Sequence, residues 1–275
     1  MIIDAHHHYW QYNPLEYDWI DDSMKVIRTD FLPDKLAPTI QEAGIDGVVS
    51  VQARQLVKET DWLLEMAHQN KFMKGVVGWL PLIEADIESY LEKYSGEKLL
   101  KGLRHVIQGE PDQEFILRSD FNRGISLMKK YALVYDILIV ERQLSNTIRF
   151  VDQHPDQVFV LDHIAKPCIG RNELSPWKEN IQELAKRENV SCKISGMVTE
   201  ANFLSWTPEH LQPYFEVILE AFGSDRLLFG SDWPVCLVAT TYKNWMDLVL
   251  KAIGSCSETE QANIMGENAV RVYKL

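Results

Sequence analysis

Four cysteines are all that 275 residues contain, Cys168, Cys192, Cys236 and Cys256, and no two of them form a CxxC pair. Such spacing excludes a disulfide framework or a cysteine-built zinc ribbon, and reads as the reduced thiols of a cytoplasmic protein. No apolar run approaches the ~18 residues that read as a membrane span. The N-terminus has neither the basic start nor the long apolar stretch of a secretory leader. Basic residues are in deficit, 28 against 40 acidic ones, which leaves a net charge of −12 with no basic block. That field repels a phosphate backbone, so nucleic acid is not an expected partner. Also missing are GxGxxG after a strand, GxxxxGK[ST] and GxSxG. No nucleotide cofactor and no serine-hydrolase elbow are expected.

What is present is an ordinary globular composition, 46% hydrophobic and 25% charged, in a length that allows one large domain or two small ones. Short apolar runs alternate with helical spacing. After an opening strand at 2–5 come β-rich runs at 47–52, 74–79, 100–105, 133–137, 158–162, 190–194 and 227–230. Helical stretches are expected at 33–43, ending at Gly44, then at 60–69, 84–93, 113–131, 144–153, 177–186 and 208–221, with more toward the C-terminus. Eight strand–helix repeats in this length predict a single-domain α/β protein over residues 1–275, a (β/α)8 TIM barrel whose parallel strands close on themselves. The connection from Tyr9 to Leu32 is too long for a simple turn and holds Tyr9, Trp10, Tyr12, Tyr17 and Trp19. Two readings stand for it: a functional loop folded over something, or a plug at the barrel bottom or a subunit contact.

Chemistry in such barrels gathers at the carboxyl ends of the strands. The first strand ends in His6-His7-His8, and alternation places His6 and His8 on one side with His7 opposite. Imidazole is both a metal ligand and an acid/base group near neutrality. The other ends carry Gln52, Arg104 with His105, Tyr135 with Asp136, Asp162 with His163, Lys193, and Gly230-Ser231-Asp232-Trp233-Pro234. Ionisable side chains arriving at one rim from most strands exceed what a structural barrel requires.

The His6-x-His8 pair, the lone His163 in Leu161-Asp162-His163-Ile164-Ala165-Lys166-Pro167, and Gly230-Ser231-Asp232-Trp233-Pro234 resemble the amidohydrolase superfamily. More narrowly they resemble its amidohydrolase-2 branch, which includes sugar lactonases of the L-fuconolactonase and L-rhamnonolactonase type. The segment Ile264 to Ala269 resembles the family's C-terminal helix start, and the likeness spans the whole chain. It implies a hydrolase of carbohydrate metabolism that opens a small-molecule sugar lactone, with no membrane partner and a homo-oligomer left open. Asp232 is then the expected base for water, with His6, His8 and His163 as its catalytic companions. Arg104 and Lys193 are expected to stabilise negative charge or bind substrate, His105, Gln52 and Trp233 to make further substrate contacts, and Trp10 or Tyr12 to stack on the sugar.

The departures from the family pattern bear on metal. Binuclear relatives take a carboxylated lysine or a glutamate from strand four and histidines from strands five and six. Here strand four offers Arg104-His105, strand five Tyr135-Asp136, and a single strand-end histidine follows. At most one divalent ion, Zn²⁺, is expected, on His6, His8, His163 and Asp232; the same four residues can equally form a metal-free hydrogen-bonded cluster. A zinc-dependent decarboxylase of the same superfamily and a non-catalytic barrel that binds a sugar acid are the alternatives.

Overall fold

The computed structural model describes all 275 residues. Eight strands form one parallel sheet in sequence order: β1 (Ile3–His7), β2 (Gly47–Val51), β3 (Met73–Gly78), β4 (Leu100–Val106), β5 (Val134–Leu138), β6 (Phe159–Leu161), β7 (Val190–Ile194) and β8 (Leu227–Phe229). Between successive strands lie the helices α1 (Pro33–Ala43), α2 (Val57–Gln69), α3 (Ile87–Lys93), α4 (Ser119–Met128), α5 (Leu144–Asp152), α6 (Trp177–Leu184) and α7 (Pro208–Phe222). The chain continues into α8 (Tyr242–Ala252), α9 (Glu258–Ala262) and α10 (Asn268–Tyr273). This is the expected (β/α)8 barrel. The expected helix at 113–131 is shorter, because Arg118 adopts an extended conformation and separates a 3-10 turn at Phe115–Leu117 from α4.

Closure is made just beyond β8 rather than by it. His8 N–H donates to the Trp233 carbonyl at 2.7 Å and Asp232 N–H donates to the His6 carbonyl at 2.8 Å. The residues that zip the barrel shut are therefore the motif residues themselves.

The first strand is irregular in a way that matters. Asp4 pairs with Val48 but His7 pairs with Ser50, so three steps along β1 oppose two along β2. Such a bulge rotates the chain by one face. Ile3 and Ala5 pack with the interior valines, His6 also turns inward, and Asp4 turns outward to the Tyr242 hydroxyl at 2.9 Å. Strict alternation would have placed Asp4 beside His6. His7 faces away from the interior and its Nε2 lies 2.8 Å from Ser50 Oγ.

The long loop at 9–32 covers the mouth of the barrel. Trp10 and Phe31 exchange backbone hydrogen bonds at 2.9 and 2.8 Å, and the indole of Trp10 donates to the Thr29 carbonyl at 2.9 Å. Tyr9, Trp10 and Tyr17 are buried inside the loop, while Trp19 and Met24 reach the cavity below. The alternative of a plug at the barrel bottom is corrected by the C-terminus, since Ala269, Tyr273 and Leu275 pack against the lower interior residues Ile3, Val49 and Val77. No helix is long and apolar enough to cross a membrane.

Candidate active site

At the carboxyl ends of the strands lies a cavity of about 420 Å³ lined by His8, Arg104, His163 and Asp232, among others. His6 is fully buried beneath it. Two glycines make room for these rings. A β-carbon on Gly230 would stand 2.8 Å from the His6 Cβ, and one on Gly196, already at φ +65°, would stand 2.5 Å from His163 Nδ1.

Two of the candidate residues sit in strained backbone. His163, Ile164, Ala165 and Lys166 all have φ between 49° and 61°, and Asp232 has φ 57°. A non-glycine residue in the left-handed region is disfavoured by about 1–2 kcal/mol, so four in succession persist only where the surroundings hold them. The Trp177 indole does so, donating to the Ile164 carbonyl at 2.7 Å. The turn aims His163 and Lys166 at the cavity. Asp4 holds the other turn by accepting from Ser231 N–H at 2.9 Å and Ser231 Oγ at 2.6 Å.

His6 Nε2 and His8 Nε2 are 3.1 Å apart, and Asp232 Oδ1 lies 3.5 Å from His8 Nε2 and 3.9 Å from His6 Nε2. Burial alone would raise the Asp232 pKa; the neighbouring His163, His8 and Lys166 outweigh it and hold the carboxylate below its usual range. His163 is driven down to about 4 by burial and is neutral at pH 7, with its Nδ1 2.9 Å from Ser195 Oγ. Burial likewise pushes His6 well below the usual imidazole range.

Below His6 is a closed charge network. Lys193 Nζ lies 2.6 Å from Asp136 Oδ2, 3.0 Å from Asp162 Oδ1 and 3.1 Å from His6 Nδ1. Arg104 Nη1 donates to Asp162 Oδ2 at 3.0 Å, and its Nη2 donates to the Gln52 carbonyl. The Tyr273 hydroxyl closes the floor on Asp136 at 2.9 Å. Burial lifts the Asp136 pKa to about 6 against the pull of Lys193. For Asp162 burial acts upward too, but Lys193, His6 and Arg104 prevail and keep it well below the carboxylate range.

The donor set fits one divalent cation. His8 Nδ1 is 2.8 Å from the Val51 carbonyl, so it carries the proton and leaves Nε2 a free lone pair. His6 has two choices. If Lys193 donates to its Nδ1, then Nε2–H points at His8 Nε2 and the cluster is satisfied without metal. In the other tautomer Nδ1–H faces Asp162 Oδ1 at 3.3 Å, the buried oxygen that also lies 3.0 Å from Lys193 Nζ. Two lone pairs then face each other across 3.1 Å, close to the edge of a zinc tetrahedron with Zn–N of about 2.0–2.1 Å. The ligand atoms of His6, His8 and Asp232 all lie within 4.8 Å of one another. His163 falls outside this trio and groups instead with His6 and Asp162, so the expected set of four resolves into two threes that share His6.

Several expected substrate contacts are elsewhere. Lys193 is wholly buried and engaged below His6, so it is no rim residue. His105 turns outward on β4, opposite to Arg104, accepting from the Trp79 indole at 3.2 Å and lying 2.7 Å from Glu110 Oε1. Gln52 is fully buried and donates to the Arg104 carbonyl at 3.2 Å, which braces Arg104. Trp233 packs edge-on against Phe31. Trp10 is buried within the loop, and Tyr12 is not among the cavity residues. Sequence reasoning passed over Trp19, Met24, Gln108, Lys166 and Glu200, all of which line the cavity. Lys166 carried a signal, three residues after His163 in a strand-end motif, and so did Trp19, one of the aromatics of the long loop.

The chain matches the amidohydrolase family over residues 3–275. It is 37% identical to the L-fucono-1,5-lactonase of Burkholderia multivorans, over 99% of this chain and 96% of that one. With the L-fucono-1,5-lactonase of Burkholderia ambifaria it shares 30% identity over 99% and 95% of the two chains. A crystal structure of an amidohydrolase from Burkholderia multivorans with bound zinc superposes with a TM-score of 0.97 at 36% identity, covering 100% of this chain and 99% of that one. A family match across nearly the whole chain, on a barrel whose mouth gathers His8, His163 and Asp232, shows that this protein belongs to the amidohydrolase family.

Proposed function

We propose that this protein, acting as one domain over residues 1–275, hydrolyses a sugar lactone of the L-fucono-1,5-lactone type to the aldonic acid. The observation that carries the reading is an ionised Asp232 set among His8, His163 and Lys166 in the cavity at the barrel mouth. Its full-length likeness to two L-fucono-1,5-lactonases supports it. Both of those relatives favour lactone opening over the decarboxylase and the silent sugar-acid barrel.

Asp232 accepts a proton from water as the water oxygen bonds to the lactone carbonyl carbon. Charge gathering on the carbonyl oxygen is met by an N–H of neutral His163 and by the Arg104 guanidinium. The bond from that carbon to the ring oxygen then breaks. Asp232 returns its proton to the departing alkoxide, so lactone and water give the aldonic acid with no proton unaccounted for. His6 and His8, with Asp232, are the residues that would hold zinc; when bound it would supply further positive charge at the reacting carbonyl. Asp136, Asp162 and Lys193 fix the His6 ring from below. The four free cysteines fit a cytoplasmic enzyme of carbohydrate metabolism.

The test is turnover of L-fucono-1,5-lactone followed with a pH indicator, on protein stripped by chelator and on protein reloaded with zinc. Full turnover in protein shown metal-free by elemental analysis assigns polarisation to Arg104 and His163. Absence of turnover of any aldonolactone by either form overturns the lactonase reading.

A further inference from the structure

The cavity holds more polar groups than the hydrolysis uses. Gln108 Oε1 is buried without a hydrogen-bond partner, on a side chain that lines the cavity. Glu200 lines it as well, and Lys166 Nζ stands 3.7 Å from its carboxylate, too far for a hydrogen bond. The same cavity is lined by the apolar side chains of Met24, Val106 and Leu138. Polar atoms left unmatched in a pocket cost free energy until a ligand meets them. An aldonolactone brings hydroxyl groups on successive ring carbons, each able to donate to an amide or carboxylate oxygen and to accept from an ammonium.

Charge narrows the class further. The charge of Arg104 is offset by Asp162 beneath the cavity. Lys166, the other cation lining the cavity, is offset by Glu200 in an ion pair at 3.7 Å. Asp232 leaves the balance negative.

We propose that Gln108, Lys166 and Glu200 are the set that recognises the hydroxyl groups of the lactone, and that Glu200, sharing the cavity with the Asp232 carboxylate, turns away lactones that carry a carboxylate of their own. This rests on the lactonase reading of the same cavity. It also bears on product release, since ring opening creates a carboxylate in a cavity already lined by two. Like charges sharing one cavity favour departure of the aldonate.

The experiment compares kcat and KM for three compounds: a neutral aldonolactone, glucarolactone as the carboxylated lactone, and δ-valerolactone, which has no hydroxyls. The wild type, Gln108→Leu, Gln108→Asn and Glu200→Gln are assayed after melting curves confirm folding. Gln108→Leu is expected to lower the kcat/KM ratio of aldonolactone to δ-valerolactone on the order of tenfold, chiefly through KM, and Gln108→Asn to recover part of it. Glu200→Gln is expected to lower the ratio of aldonolactone to glucarolactone by about as much and to strengthen inhibition by aldonate. Unchanged ratios, or an equal loss on all three compounds, overturn the proposal. Should the wild type open none of them, the lactonase reading falls by itself. The recognition set is then judged by calorimetric binding of the same compounds, with the same shifts in ratio expected and their absence overturning it.

Discussion

Two rings of side chains inside the barrel, one strand repeat apart, have opposite character. In the lower ring Val49, Val77, Val134, Val160 and Leu228 pack as an apolar layer. Two residues further on, within β5 and just past the end of β6, Val134 gives way to Asp136 and Val160 to Asp162, both fully buried. Arg104 and Lys193 join them, so two cations and two carboxylates stand where barrels of this class pack branched aliphatic residues. Each lower side chain contributes about 1.5–3 kcal/mol by leaving water. A buried ion network contributes little net, because desolvation offsets attraction. The upper ring is thus a poor way to stabilise a barrel and a good way to hold an imidazole: His6 meets Lys193, Asp162 and Arg104 within 3.4 Å.

If that division is right, variants in the two rings should fail in different ways. The largest effect is expected above both, at Asp232. Asp232→Asn keeps the shape and removes the base, and lactone turnover should fall by about 10²–10⁴-fold while the melting temperature stays close to that of the wild type. Near-normal turnover would remove Asp232 from the mechanism. Next comes Lys193→Met, which leaves Asp136 and Asp162 short of their common cation. Urea unfolding should show a loss of about 3–5 kcal/mol, with turnover reduced as well. Adding Asp136→Asn to that variant should recover most of the stability and none of the turnover, because the stranded charge is gone but His6 remains unsupported. Recovery of both would make the network merely structural. In the lower ring, Val160→Ala should cost about 2 kcal/mol and leave kcat per folded molecule unchanged. A loss of kcat there would erase the distinction between the rings.

The lower ring was legible in the sequence because apolar runs bounded by turn residues announce buried strands, and eight of them announce a closed barrel. His6, His8, Arg104, His163 and Asp232 were legible because strand ends concentrate chemistry. What stayed hidden was set by contacts that no local pattern encodes. Alternation does separate Arg104 from His105, yet both are polar, and which of them faces inward depends on pairing between strands. Lys193 has the composition of a rim residue; its depth follows from Asp136, Asp162 and Tyr273, which are distant in sequence. Lys166 and Glu200 come from turns, and the first reaches the cavity through four left-handed residues that carry no glycine. The bulge in β1 left no trace, since Ile-Asp-Ala-His alternates well enough to conceal it.

The smallest effect is expected at the loop over the mouth, and it tests whether that loop belongs with the site or with the scaffold. Arg54, just after β2, is the tie: it pairs with Glu16 of the loop, stacks on Tyr17 at 5.3 Å and lies 3.2 Å from Glu59 at the start of α2. Glu59 is itself pinned by the N–H groups of Ala53 and Arg54 at 2.9 and 2.7 Å. The anchor on the barrel side is thus rigid, and the pair to Glu16 is partly exposed and exchangeable. An exposed ion pair of this kind contributes less than about 1 kcal/mol, so Glu16→Gln should leave the melting temperature nearly unchanged. The loop places Trp19 and Met24 in the cavity, so a looser tie should raise KM by about two- to threefold with kcat unaltered. Salt provides the control. Wild-type KM should rise with ionic strength as the pair is screened, and that rise should be weaker in Glu16→Gln. If KM is the same in both proteins at low salt, the loop is scaffold, and the boundary of the site is drawn at Asp232 and the left-handed turn instead.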